Sequence, residues 1–254
     1  LQLDTDRTER IEPVSAMQRD LILASELDPT TLQNSLGYAV ELHSDVEVER
    51  WVAELERFSR SQSVLRTDIK RCDLAWGEAV YQVVERADGF ELPIEINDLS
   101  DRTWDRAQLQ ELIEHRIYRP YVIGEDRLVN HYLYKLGEGH WLTILATHHA
   151  LLDGVGYAEH LLTVCKNYEA VRQGGEIEIL PDIYADYIQY DRRHTDTPAV
   201  LNHWRDALNG IEPLEWQLSA ETTIDAGERQ QQHETLSAEE WDELKRYCRR
   251  QGIT

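Results

Sequence analysis

Cysteine is scarce in this 254-residue chain: Cys72, Cys165 and Cys248 are far apart and odd in number. That pattern offers neither a disulfide framework nor a zinc knuckle, so the thiols are expected to be reduced and buried. Basic residues are also short. Only 26 Lys and Arg stand against 48 Asp and Glu, a formal net charge of −22. Each phosphate contact needs a local cation, so this balance excludes a nucleic-acid footprint and disfavours anionic membranes. No run approaches the roughly 18 apolar residues of a membrane span. The start, Leu1-Gln2-Leu3-Asp4, lacks a basic-then-apolar signal, and the expected location is cytoplasmic. What is present is enough apolar material for a core, 41% of residues, in a length that suits one large domain or two smaller ones of α/β class.

Periodicity predicts an amphipathic helix over 15–27, with Met17, Leu21, Leu23, Ala24 and Leu27 as its apolar residues, then a strand over 35–42. Ser44-Asp45-Val46-Glu47 reads as a capping box before a helix whose buried face is Val48, Trp51, Val52, Leu55 and Phe58. Strands are expected near 64–70 and 78–84 around a Trp76-Gly77 turn, and near 93–96, with a helix over 103–118 stopped by Pro120. Runs 127–136 and 140–147 flank Gly137-Glu138-Gly139, a hairpin signal, and the second is apolar enough to be buried on both faces. A helix carrying Ala158, Leu161, Leu162, Cys165 and Tyr168 ends at Gly174-Gly175. Helices near 185–193 and 199–208 follow, then an aperiodic connection over 212–234. Ser237-Ala238-Glu239-Glu240 is a second capping box, before a helix with Trp241, Leu244 and Cys248. Gly252 stops it, and Ile253-Thr254 read as a chain cut in front of its next element.

The sharpest local feature is Thr147-His148-His149-Ala150-Leu151-Leu152-Asp153-Gly154. Adjacent residues at a strand end point to opposite faces, so one histidine faces a cleft while the other packs. Asp153 falls in the turn before a helix, and Gly154 allows close backbone approach or positive φ there. A histidine in such a place is often only a hydrogen-bonded core residue. Metal ligation by His148, His149 and Asp153 is disfavoured, because adjacent strand residues diverge and no third His or Cys stands at ligand spacing. No metal is assigned. A Ser-His-Asp hydrolase lacks its Gly-x-Ser-x-Gly turn.

This motif resembles the HHxxxDG signature of condensation domains of nonribosomal peptide synthetases, relatives of chloramphenicol acetyltransferase. Ser15-Ala16-Met17-Gln18-Arg19 is similar to the family's SxAQxR, with Met17 where Ala is usual. Leu65-Arg66-Thr67 resembles the end of RHExLRTxF, although Ser61-Gln62-Ser63 replaces Arg-His-Glu. Tyr184-Ala185-Asp186-Tyr187 looks like the YxDY element, and 203–210 like the yW...L.g helix after it. The motifs stand in family order across the whole chain, which is about half the family's usual length.

The resemblance implies a chloramphenicol acetyltransferase-like α/β lobe, a mixed β-sheet flanked by helices. Residues 1–180 would be the N-terminal lobe, and 181–254 a helical connection and the start of a truncated C-terminal lobe. It implies amide bond formation between two thioesters held on the phosphopantetheine arms of donor and acceptor peptidyl carrier proteins, with no directly bound cofactor. The remaining C-terminal lobe and neighbouring synthetase domains would be further partners. His149 is implied as catalytic, with the Gly154 amide helping to stabilise an oxyanion. Asp153 would be structural, paired with an arginine for which Arg66 is the candidate, and His148 would pack. Kept alongside are a free-standing coenzyme A-dependent acyltransferase of the same superfamily and a non-catalytic carrier-protein docking module. An epimerization domain fits the Gly154 continuation less well, and heterocyclization replaces the histidines with aspartate.

Overall fold

The computed structural model describes residues 4–43, 46–74, 77–195, 197–212 and 235–253. Two compact units divide the chain, 1–215 and 216–254. The first holds β1 (Thr8–Pro13), α1 (Ala16–Leu27), β2 (Ser35–Leu42), α2 (Val48–Ser61), β3 (Thr67–Leu74), β4 (Gly77–Glu85), β5 (Ile94–Asp98), α3 (Arg106–Ile117), β6 (Val129–Gly137), β7 (His140–His148), α4 (Gly154–Arg172), α5 (Tyr184–His194) and α6 (Pro198–Ala207). The expected mixed α/β class holds.

Two sheets carry the unit. One is antiparallel in the order β1-β4-β3. The other runs β2-β7-β6-β5, with β5 parallel to β6 and the remaining pairs antiparallel. The β6–β7 hairpin turns where Gly137-Glu138-Gly139 predicts, with Gly139 at φ +61°. β7 is central, and Leu142 to His148 are all buried. Its alternation splits the core: Leu145 joins Trp51, Leu55, Phe58, Val164 and Tyr168 beneath α2 and α4, while Leu142, Ile144 and Ala146 join Ile117 of α3. Gly37 of β2 is required by this packing. A Cβ there would lie 2.2 Å from the Leu145 carbonyl oxygen.

Several expectations need correction. β1, alternately half-buried and exposed, lies outside every predicted element. α1 exposes the apolar residues expected to pack, Met17, Leu23 and Leu27, and buries Gln18, Ile22 and Ser25 instead. α4 buries His160, Thr163, Val164, Asn167 and Tyr168 rather than the whole expected stripe, leaving Leu162 and Cys165 exposed. The expected burial of Cys165 therefore fails, and Cys248 is only half-buried. α2 has Glu47 as its N-cap without a side-chain bond. Ser44, the Trp76 turn residue, most of the 212–234 connection and the Cys72 side chain lie outside what is described. In the second unit α7 (Ala238–Gln251) has the predicted capping box, with the Glu240 amide donating to Ser237 Oγ and the Ser237 amide donating to Glu240 Oε2.

Candidate active site

β7 delivers the histidine motif from a fully packed strand. His148, its last residue, is 1% exposed and meets Tyr121 edge-on. Its Nδ1 accepts the Ala150 amide at 3.1 Å, so the ring proton sits on Nε2 and is donated to Ser25 Oγ at 2.9 Å. Ser25 in turn donates to the Leu21 carbonyl and accepts from Asn34 Nδ2. Burial, and then the neighbouring His149, push the His148 pKa down to about 4. The imidazole is neutral near pH 7, and both its nitrogens are engaged. It has no lone pair left for a metal or a substrate proton.

His149 differs in each respect. It lies just past β7, half-buried, with its amide donating to the Asn34 carbonyl at 2.8 Å. Its Nδ1 is screened from solvent and makes no hydrogen bond among the described residues. Asn34 thus fixes both histidines, one through Ser25 and one through the backbone.

The expected Asp153–Arg66 ion pair is not formed. Asp153 is exposed and caps α4, accepting the Gly156 amide at 2.8 Å. Arg66 is buried at the entry to β3, donating to Glu9 Oε2 at 2.9 Å and to the Glu85 carbonyl. Each is held by local partners instead. Gly154 also departs from expectation: its φ is not positive, and a Cβ would meet nothing within 4 Å. It is the first residue of α4. The cap takes the Gly156 amide, which leaves the Gly154 and Val155 amides without a partner among the described residues.

A polar knot behind the motif carries no signal in hydrophobic periodicity. Ser15 and Gln18 form a capping box at the start of α1. Gln18 Oε1 accepts the Ser15 amide, which directs its Nε2 inward to Tyr184 Oη at 2.6 Å, Gln82 Oε1 at 2.9 Å and the Ala150 carbonyl at 3.0 Å. Tyr184 Oη donates to Gln82 Oε1. Asp191 of α5 accepts the Ala16 amide. The spacing Ser-x-x-Gln is visible in the sequence, whereas the partners at 82, 150 and 184 are not. On the other side, Ser25 and Tyr121, which both touch His148, line a cleft of about 390 Å³ together with Lys70, Arg71 and Ile123.

A family model described as "Condensation domain" matches residues 8–254. The chain belongs to the condensation-domain family. This condensation domain is 27% identical over 211 residues to one of the proteins of linear gramicidin synthase from Brevibacillus parabrevis, and 25% identical over 205 residues to tyrocidine synthase 3 of the same organism. Each alignment takes in 80% of this chain and only 3% of the synthetase. In fold it matches the starter condensation domain of rhizomide synthetase RzmA with a TM-score of 0.67 at 18% identity, covering 81% of this chain and 50% of that one. The domain thus spans half the length of that solved relative. No described helix is long and apolar enough to cross a membrane.

Proposed function

We propose that this condensation domain joins a donor acyl or peptidyl thioester to the amine of an acceptor aminoacyl thioester, both presented on phosphopantetheine by carrier proteins in the cytoplasm. Residues 1–180 act as the N-terminal lobe, and 181–254 as the connection and the start of the C-terminal lobe. The amine nitrogen attacks the thioester carbonyl, an oxyanionic tetrahedral intermediate forms, and the thiolate leaves as the amide carbonyl re-forms. A free α-amine has a pKa of about 8, so a useful share is neutral before attack. The proton need arises as the C–N bond forms and the nitrogen becomes positive.

The observation that carries this reading is the contrast between the two histidines. His148 is saturated with hydrogen bonds, while His149 keeps Nδ1 unpaired on a backbone held by Asn34. His149 accepts the amine proton, and the Gly154 amide at the positive end of α4 stabilises the oxyanion. His148 and Asp153 hold the loop and the helix start, and Arg66 holds the edge of the first sheet to Glu9.

In the synthetase carrying this domain, His149→Ala is expected to lower condensation by about 10² to 10⁴, measured by mass spectrometry of product on the acceptor carrier protein. An unchanged rate would remove His149 from the chemistry and favour a docking module. Because the matched part of this chain covers only 50% of the solved relative, the 254 residues alone are expected to give no condensation product from loaded carrier proteins. Robust turnover would overturn that expectation.

A further inference from the structure

At the end of β7 opposite the histidine motif, three donor side chains meet on one face of the sheet. Leu42 of β2 pairs with Trp141 of β7, so the next positions in register are His43 and His140. Glu41 and His43 stand two apart along one strand direction and therefore share a face. His140, across the ladder from His43, shares it too. The His43 and His140 rings stack, with centroids 5.0 Å apart and planes 19° from parallel. His140 Nε2 lies 2.8 Å from Glu41 Oε2. One ligand atom from each of the three residues lies within 4.8 Å of the other two, the one such group among the described residues.

We propose that Glu41, His43 and His140 form a binding site for a divalent late transition-metal cation, with zinc the best match. Two imidazole nitrogens and one carboxylate oxygen are a borderline-soft set that suits zinc and selects against calcium and magnesium, which take oxygen ligands. Three protein ligands leave a fourth tetrahedral position for water, which the exposed edge of β2 admits. The His43 ring is exposed and the His140 ring half-buried, so both have room to turn toward an ion at the zinc bond length of roughly 2.0–2.2 Å. The ligand set with neutral imidazoles carries one negative charge, on a chain of net charge −22, and the field favours a cation. A bound ion would staple edge strand β2 to central β7. β7 has nine residues, so the site stands roughly 30 Å from the catalytic loop and does not depend on condensation chemistry.

The test is calorimetric titration of the intact chain with zinc chloride, reversed by EDTA, alongside ring ¹⁵N spectra of the histidines. A single saturable site is expected, with the His43 and His140 ring nitrogens shifting on binding. His43→Ala and His140→Ala should each weaken it by at least about tenfold, and Glu41→Gln should weaken it measurably. The Cys165→Ala/Cys248→Ala variant should bind as the parent does. Absence of saturable binding, or unaltered binding in the His43→Ala/His140→Ala variant with its circular dichroism unchanged, would overturn the proposal.

Discussion

Three buried histidines set the acid limit of the fold. Burial holds His131 and His148 at about 4 and His160 at about 3, against an ordinary value near 6.5. As pH falls below about 6.5 the unfolded chain takes up protons that the folded chain refuses. Their contribution to stability is therefore complete above that pH and is lost on the way down to about 4. Urea denaturation across pH 7 to 4.5 should show stability falling by up to about 1.4 kcal/mol per pH unit for each of them, and a flat profile would contradict these neutral states. Gln18 and Gly154 are opposite cases. Gln18→Ala strips the Ala150 carbonyl and Gln82 of a buried donor, and is expected to lower stability by about 1–3 kcal/mol by the same method. Gly154→Ala meets open space at ordinary φ, so its stability should change by no more than about 1 kcal/mol. Loss of condensation in that variant would then report on the approach of substrate to the α4 amides.

Among the elements, β2 has a tight contact at Gly37. Gly37→Val places a side chain against the Leu145 carbonyl and Ile117, and should cost about 3 kcal/mol or more, read as a lowered urea midpoint or loss of soluble protein. Because Asn34, just before β2, holds His149, the damage should extend to the loop bearing His149. The β6–β7 hairpin, the doubly buried β7 and the apolar face of α2 are legible in the sequence because burial there follows period 2 or 3.6. The packing of α1 is not, because its inward face mixes Ile22 with Gln18 and Ser25, polar residues engaged with the loop, while Met17, Leu23 and Leu27 face out. α4 misleads for the same reason: its buried stripe includes His160, Thr163 and Asn167. β1 escapes detection because one half-exposed strand rich in charge has little apolar alternation to show. The histidine pair is legible as a motif. Which histidine is saturated depends on Ser25 and Asn34, contacts made by tertiary folding alone.

For the molecule as a whole, the net charge of −22 bears on partners. Under the proposed function, an acidic carrier protein would approach this domain against long-range repulsion, and its docking would rest on local basic and apolar surface. The Gln18 knot has another consequence, for the order in which the chain assembles. Its links span 64, 132 and 166 positions of sequence. Non-local contacts of this kind are late events in folding, since long loops must close before any of them forms. During vectorial synthesis the loop bearing His149 leaves the ribosome before Tyr184 does. The nascent chain thus carries Gln18 and Gln82 without Tyr184 until α5 arrives to complete the hydrogen-bonded support behind the loop.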